Sequence, residues 1–204
     1  MRVIAGSLKG RRLEGPEWEG LRPTSDRLRE TLFAILAPRV PGARVLDGYA
    51  GTGALGIEAV SRGARSAAFI DDDPRAARLI ARNVARCGIA ERCVIIRGAV
   101  VRALESMRGE PGFEPFDIVL LDPPYALAGP AVRRPGPRAA KRRGHLDDIL
   151  RAAGGVLAPG GLVVLEHARR VAPPEAAGAL VRVRTVASGD SVLSFYEPRV
   201  SSRS

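Results

Sequence analysis

The sequence predicts an α/β fold built on a mostly parallel sheet, and three observations predict it. Short apolar runs alternate with segments of helical spacing from about residue 43 onward. A glycine-rich turn follows the first of those runs, and the chain closes on two β-type runs joined by Ser188-Gly189-Asp190. Alternation of this kind places helices on both faces of a parallel sheet, and a closing hairpin adds antiparallel strands.

Each element has its own warrant. Arg44-Val45-Leu46 is a short strand ending in Asp47. Residues 54–62 and 74–87 carry apolar residues at helical spacing: Leu55, Ile57, Ala59 and Val60 in one, Ala77, Leu79, Ile80 and Val84 in the other. Ser66-Ala67-Ala68-Phe69-Ile70 is a strand closed by Asp71-Asp72-Asp73, and Pro74 sits where the first turn of a helix tolerates it. Strands follow at Cys93–Ile96, Phe116–Leu121 and Gly161–Leu165, with helices before the last two ending near Met107 and Leu157. Leu180–Ala187 and Ser191–Glu197 form the closing hairpin. Two segments stand apart. Residues 1–23 are basic and glycine-rich and predict a small strand pair or arm. Residues 128–145 hold six basic residues and three prolines, a composition that predicts irregular structure for most of their length.

Two turns carry the chemistry. Asp122-Pro123-Pro124-Tyr125 follows the buried run 116–121. The Asp122 carboxylate and the Pro123 carbonyl both accept hydrogen bonds, and Pro124 brings no N–H to compete for that space. Tyr125 offers a face on which a planar base stacks. Such a pocket suits a flat ring bearing an amino group. The second turn is Asp47-Gly48-Tyr49-Ala50-Gly51-Thr52-Gly53-Ala54-Leu55-Gly56, where Gly51, Gly53 and Gly56 satisfy the G-x-G-x-x-G spacing between a strand and a helix. Asp71, 20 residues past Gly51, ends the next strand, where a carboxylate can hold ribose hydroxyls. Nicotinamide and S-adenosylmethionine enzymes share that much. Asp47 separates them, because a carboxylate before the turn repels a pyrophosphate but suits a cofactor carrying an ammonium and a sulfonium. Gly48, Tyr49, Ala50 and Ala54 of the loop, with Asp72, Gly98 and Ala99 at the following strand ends, complete the candidate cofactor site. Gly98-Ala99 offers no carboxylate for an adenine amine, so backbone groups and apolar walls would hold the ring there.

Composition narrows the partners. The chain has 204 residues, 46% of them hydrophobic, enough to bury a full core as one domain with a small extension. Cys87 and Cys93 are too few for a disulfide framework or a structural zinc site, and no metal is expected. No apolar stretch approaches a membrane span and residues 1–6 have no signal-peptide core, so a soluble, cytoplasmic protein is the expectation. The balance of 32 basic to 22 acidic residues gives a net charge of +10, and every basic residue except Lys9 and Lys141 is arginine. Arginine forks match phosphates and stack on bases, which points to a nucleic-acid partner. A genomic preference for arginine is the alternative.

Taken together, the chain resembles the RsmD family, bacterial methyltransferases of the N2 amine of a guanine in small-subunit ribosomal RNA. The residues that carry the resemblance are Arg2-Val3-Ile4-Ala5-Gly6 with Gly10-Arg11-Arg12-Leu13, and Arg22-Pro23-Thr24-Ser25-Asp26-Arg27-Leu28-Arg29-Glu30-Thr31-Leu32-Phe33. The loop Leu46–Ala59 and Asp122–Tyr125 complete the set. The second segment is the most specific, since general S-adenosylmethionine enzymes lack it.

The resemblance implies a class I methyltransferase fold over residues 24–204, Rossmann-like with a seven-stranded sheet and a terminal antiparallel hairpin, preceded by a hairpin arm over residues 1–23. It implies that Asp47, Gly51, Gly53 and Asp71 bind S-adenosylmethionine, that Thr24 and Asp26 lie near its methionine end, and that Asp122 to Tyr125 hold the base. Arg2, Lys9, Arg11, Arg12, Arg22, Arg27, Arg133 and Arg134 are the candidate RNA contacts. Ribosomal RNA, within the small subunit or its precursor, is the implied partner, and a monomer the expected state. Departures from the family pattern are Ala5, Ala34, Asp71 in place of glutamate, and the longer basic insertion at 128–145.

Several readings stay open from the residues alone. Arg22, Arg27 and Arg29 either grip RNA or pair with Asp26 and Glu30. The insertion is either a flexible, solvated loop or a segment that orders along phosphates. Trp18 stacks on a base or pins the arm to the body. Glu166 ends the fifth strand close to the active edge. The acceptor is alternatively an adenine or cytosine, or a protein glutamine, and a non-catalytic RNA-binding assembly factor is the reading from a different class.

Overall fold

The computed structural model describes residues 1–16, 18, 25–124 and 137–199, with the side chains of 137–144 outside that description. Among these residues the chain runs α1 (Asp26–Leu36), β1 (Arg44–Gly48), α2 (Ala54–Ser61), β2 (Ser66–Asp71), α3 (Pro74–Cys87), β3 (Cys93–Arg97), α4 (Val100–Arg108) and β4 (Phe116–Leu121). It continues through α5 (Pro137–Gly155), β5 (Leu157–Ala168), β6 (Ala176–Ala177), β7 (Leu180–Ser188) and β8 (Ser191–Pro198). The eight strands form one sheet in the order β3-β2-β1-β4-β5-β8-β7-β6. Strands β1 to β5 are mutually parallel, and β8, β7 and β6 are antiparallel.

Two apolar layers cover the sheet. On one face Val100, Leu104 and Met107 of α4 and Leu146, Ile149 and Leu150 of α5 pack on Leu46, Ile70, Leu121 and Leu165. On the other, Leu28, Leu32, Phe33 and Leu36 of α1 and Leu55 and Ala59 of α2 pack on Val45, Ile118, Leu120 and Val164. The strands β1, β2 and β4 are buried on both faces, so they read as continuous apolar runs rather than as alternation.

Local chemistry explains the element ends. Ser25 caps α1 by accepting from the Leu28 amide at 3.2 Å. Asp73 caps α3 ahead of Pro74, and Gly88 closes that helix with φ of 69°. Gly56 lets α2 lie against β2. An alanine Cβ there would stand 2.4 Å from Phe69 Cε1. Gly56→Ala is therefore expected to destabilise the fold by about 1–3 kcal/mol, the usual cost of overpacking. The check is a lower urea midpoint at unchanged slope.

Three features differ from the sequence expectation. The sheet has eight strands among the described residues, because the two-residue β6 turns at Gly178 and pairs Ala176 and Ala177 with Val181 and Leu180. Residues 26–36, read as charges at helical spacing but not assigned as an element, form α1, whose buried face is apolar apart from Arg29. The basic segment 128–145 is regular over its second half, since α5 starts at Pro137. Proline is at home in a helix's first turn, and the Arg-Ala-Ala-Lys-Arg-Arg that follows is made of strong helix formers.

Residues 1–14 pack on the body rather than standing away from it. Arg2 and Arg12 form an antiparallel bridge, and Val3 and Leu13 are buried with Ile57, Val60, Ile80 and Val84. The Ile4 and Ala5 amides donate to the buried Glu58 carboxylate at 2.7 and 3.0 Å. Asn83 of α3 receives the Glu14 amide at 2.8 Å. Trp18 lies over the Arg75 guanidinium at 4.9 Å, the pinning contact rather than an open stacking face.

Candidate active site

The carboxyl ends of β1, β2 and β4 converge on one edge of the sheet. β1 is flanked by β2 and β4, so the glycine turn lies between the two carboxylate-bearing strand ends. Asp47 sits at the end of β1, 1% exposed, and its Oδ2 accepts from the Gly56 amide at 2.9 Å. That amide is one of the donors a helix start leaves without an intrahelical partner. Burial pushes the Asp47 carboxyl up to about 8; the Gly56 amide opposes the shift and the charge of Asp71 adds to it. Asp71 joins the two neighbouring loops: its carboxylate accepts from Gly51 N at 2.8 Å and Asp73 N at 2.9 Å, while its carbonyl accepts from Gly98 N at 2.9 Å. Its carboxyl is also raised, by burial first, against those two backbone bonds.

The sign of the linkage follows from Asp47. A carboxyl raised in the folded state binds more protons folded than unfolded between its ordinary value near 4 and about 8. The stability this confers is complete below the unfolded value and is lost as pH rises towards 8. In the absence of ligand, urea midpoints are expected to fall from pH 5 to pH 8, and Asp47→Asn is expected to flatten that slope.

The loop itself is held in uncommon conformations. Gly51 and Gly53 have φ of 56° and 77°, and Tyr49, at 64°, is the one non-glycine residue with positive φ among those described. A bulky residue in that region costs about 1–3 kcal/mol and is found where the surroundings over-determine it, often at functional sites. Tyr49 lines a cavity of about 630 Å³ together with Asp72, Ala99 and Val100, the cavity continuing between α4 and α5. Three residues expected at the cofactor, Tyr49, Asp72 and Ala99, thus share one wall. Asp47 and Asp71 shape the loop through the Gly56 and Gly51 amides.

Asp122 follows directly on β4. Its amide donates to the Gly48 carbonyl at 3.3 Å, which ties the Asp-Pro-Pro turn to the start of the glycine loop. Asp122 is half-buried, Pro123 buried and Pro124 exposed. Arg2, Lys9, Arg11, Arg12 and Arg27 are exposed. Thr24, Arg22, Tyr125, Arg133 and Arg134 lie outside the described residues. Asp26 is exposed and pairs with Arg29 at 2.7 Å.

Arg29 itself was not legible as a core residue. It is fully buried, donating also to the Arg2 carbonyl at 3.0 Å, with Nη1 at 3.9 Å from Glu58. Of the two readings of Arg29 left open, pairing with Asp26 is the one observed and the RNA grip is set aside: its guanidinium is inside, joining the first residues of the chain to α1 and α2. The apolar spacing of Leu28, Leu32 and Phe33 around it in α1 is the signal that could have marked this face as internal. His167 is likewise internal, between the Ser194 hydroxyl at 2.9 Å and the Ala168 carbonyl at 3.0 Å. Among the described residues no three His, Cys, Asp or Glu side chains gather as a metal cradle, and no helix is long and apolar enough to cross a membrane.

Comparison with known proteins adds to this geometry. The model of the family described as Conserved hypothetical protein 95 matches residues 1–134. The chain is 34% identical over 200 residues to the candidate rRNA methyltransferase YlbH of Bacillus subtilis, covering 98% of this chain and 100% of that protein. It is 41% identical over 125 residues to Ribosomal RNA small subunit methyltransferase D of Escherichia coli, covering 61% of this chain and 60% of that one. Among solved structures, the candidate methyltransferase YhhF of Escherichia coli superposes with a TM-score of 0.77 at 29% identity, over 97% of each chain.

Proposed function

Because the chain belongs to the RsmD family, described as Conserved hypothetical protein 95, we propose that it methylates the exocyclic N2 amine of a guanine in small-subunit ribosomal RNA. The coarser activity, S-adenosylmethionine-dependent methylation of ribosomal RNA, accords with the names of its relatives. One observation carries the reading: the Asp122 amide bonded to the Gly48 carbonyl, which abuts the amine-binding turn on the cofactor loop.

The residues fit the cofactor. Asp47 is a buried carboxylate on which burial, the Gly56 amide and Asp71 act, and none of these is a cation. A ligand ammonium at this loop would favour its ionised form. Asp71, with Asp72 beside it, would receive ribose hydroxyls, and Tyr49, Ala99 and Val100 would wall the base. When bound, S-adenosylmethionine supplies a methyl group on a sulfonium, an electrophile for an amine. Binding a cation beside Asp47 releases a proton below pH 8, so affinity is expected to rise with pH from 5 to 8. Titration calorimetry in buffers of different ionisation enthalpy reads that proton, and Asp47→Asn should abolish it.

The chain's own part in the transfer is positioning. An amine on an aromatic ring is a poor nucleophile because its lone pair is delocalised. Asp122 and the Pro123 carbonyl accept its two N–H groups, favour the pyramidal nitrogen and aim its lone pair at the methyl carbon. The methyl group would come from S-adenosylmethionine, whose sulfur would keep the electron pair of the broken C–S bond, and Asp122 or water would take the proton that the methylated nitrogen sheds. Pro124 and Tyr125 would shape the base's seat, and Thr24 and Asp26 the methionine end. Arg2, Lys9, Arg11, Arg12 and Arg27, all exposed, would meet phosphates as part of a basic arm spanning 1–23, with Arg22, Arg133 and Arg134 added. A cytoplasmic monomer acting on the small subunit or its precursor completes the proposal.

The test is transfer of labelled methyl from S-adenosylmethionine to small subunits lacking their native methylation, beside naked rRNA, DNA and protein. Label recovered as N2-methylguanosine supports the proposal. Label on adenine, cytosine or glutamine keeps the mechanism and discards the acceptor. Failure to bind S-adenosylmethionine would return the non-catalytic assembly factor.

A further inference from the structure

One carboxylate at the active edge has no part in the mechanism so far. In the parallel pairing of β4 with β5, Leu121 stands opposite Leu165, so the next residues, Asp122 and Glu166, share one level. The same register carries Gly48 opposite Leu121, which puts Tyr49 at that level too. Leu121 and Leu165 pack under α4 and α5, whereas Leu120 and Val164 pack under α1 and α2. Continuing the two-residue period turns Asp122 and Glu166 to the α1 and α2 face, the face to which Asp47 also turns. Adjacent strands run about 5 Å apart, so the two residues stand side by side across the β4–β5 pair.

Glu166 is an acid in an otherwise apolar strand, Leu162-Val163-Val164-Leu165-Glu166, and is 7% exposed. Burying it is costly without a use for its acceptors. The Ser191 hydroxyl at the start of β8 donates to its Oε1 at 2.9 Å, which orients the carboxylate at the sheet's edge. A carboxylate offers about four acceptor positions, and the Ser191 bond fixes how they face.

The chemistry of the acceptor then discriminates. In guanine the N2 amine is flanked by a ring N1–H, two donor groups side by side. In adenine and cytosine the amine is flanked by a ring nitrogen with a lone pair. Two neighbouring carboxylates match the first pattern and repel the second. We infer that Glu166 accepts the N1–H of the target guanine beside Asp122 and so selects guanine over the other amino bases. The inference rests on the acceptor proposed above and adds a specificity residue to it.

The probe is 2-aminopurine, which keeps an amine at C2 but presents a lone pair at N1. Small subunits are rebuilt with either guanine or 2-aminopurine at the nucleotide the wild-type protein methylates, and kcat/KM is measured on both. The wild type is expected to prefer guanine by about 10- to 100-fold, the scale of one charge-assisted hydrogen bond. Glu166→Gln, whose amide can donate as well as accept, is expected to bring that ratio close to one, with S-adenosylmethionine affinity unchanged. Glu166→Asp, which keeps the charge, is expected to retain a preference for guanine. An unchanged ratio in Glu166→Gln overturns the inference, as does loss of cofactor binding in that variant, which would mark Glu166 as a support of the fold. A wild type that places no methyl on guanine N2 instead sinks the acceptor reading, and this inference with it.

Discussion

Asp122→Ala is expected to lower methyl transfer by at least about 100-fold while leaving S-adenosylmethionine affinity and thermal stability near the wild-type values. The carboxylate is half-buried at the end of β4, and its loss opens no core cavity. Its backbone amide bond to the Gly48 carbonyl survives the substitution, so the two loops stay joined. Under the proposed mechanism the substitution removes one of the two acceptors of the amine. Mutation of a comparable preorganised hydrogen-bonding group costs on the order of 100- to 1,000-fold in kcat. Single-turnover transfer beside calorimetric cofactor binding separates these quantities. A variant that lost cofactor binding as well would show Asp122 to be part of the cofactor loop, and one that kept full activity would remove the amine-positioning role altogether. Asp122→Asn, which retains one acceptor oxygen, should recover part of the rate.

The largest effect on stability is expected at Arg29. Its guanidinium is wholly buried, bonded to Asp26 and to the Arg2 carbonyl and facing Glu58, itself wholly buried. Glu58 in turn holds the Ile4 and Ala5 amides and the Arg62 guanidinium. Removing one charge from such a network leaves its partner under-compensated in a dry setting, which costs about 3–5 kcal/mol. Arg29→Ala should therefore lower Tm by roughly 10 °C for a chain of this length, with residues 1–5 losing amide-exchange protection first. Arg27→Ala, two residues away and exposed, should move stability by less than about 0.5 kcal/mol and weaken RNA binding with a reduced salt dependence. The contrast distinguishes a structural arginine from an RNA-facing one in the same short segment. Equal effects at both positions would contradict the burial pattern of α1.

The glycine loop and the Asp-Pro-Pro segment after β4 were legible because each is a local device. Gly51 and Gly53 stand where the chain needs positive φ, and Gly56 where α2 must touch Phe69. Asp122 follows a run of apolar residues that only a buried strand explains. Arg29 was not legible, because its sequence neighbours Asp26 and Glu30 also suit a solvated helix face. Its burial depends on Arg2 and on Glu58 in α2, 29 residues further along the chain. The start of α5 at Pro137 was missed because proline and glycine density at 128–137 outweighed the helix formers that follow.

The sequence by itself determined the strand and helix succession from β1 to β4, the S-adenosylmethionine-type loop, the Asp-Pro-Pro turn after β4 and the family. All of these are written in residues close together along the chain, where backbone sterics and side-chain period act. The tertiary structure decided which strands are neighbours, and with them every relation between the two turns. That β1 lies beside β4, that Asp122 bonds Gly48, that Glu166 reaches the level of Asp122, and that Arg29 turns inward all depend on pairing between distant segments. The free energy of such pairing belongs to the packed sheet as a whole, and no short window of residues contains it.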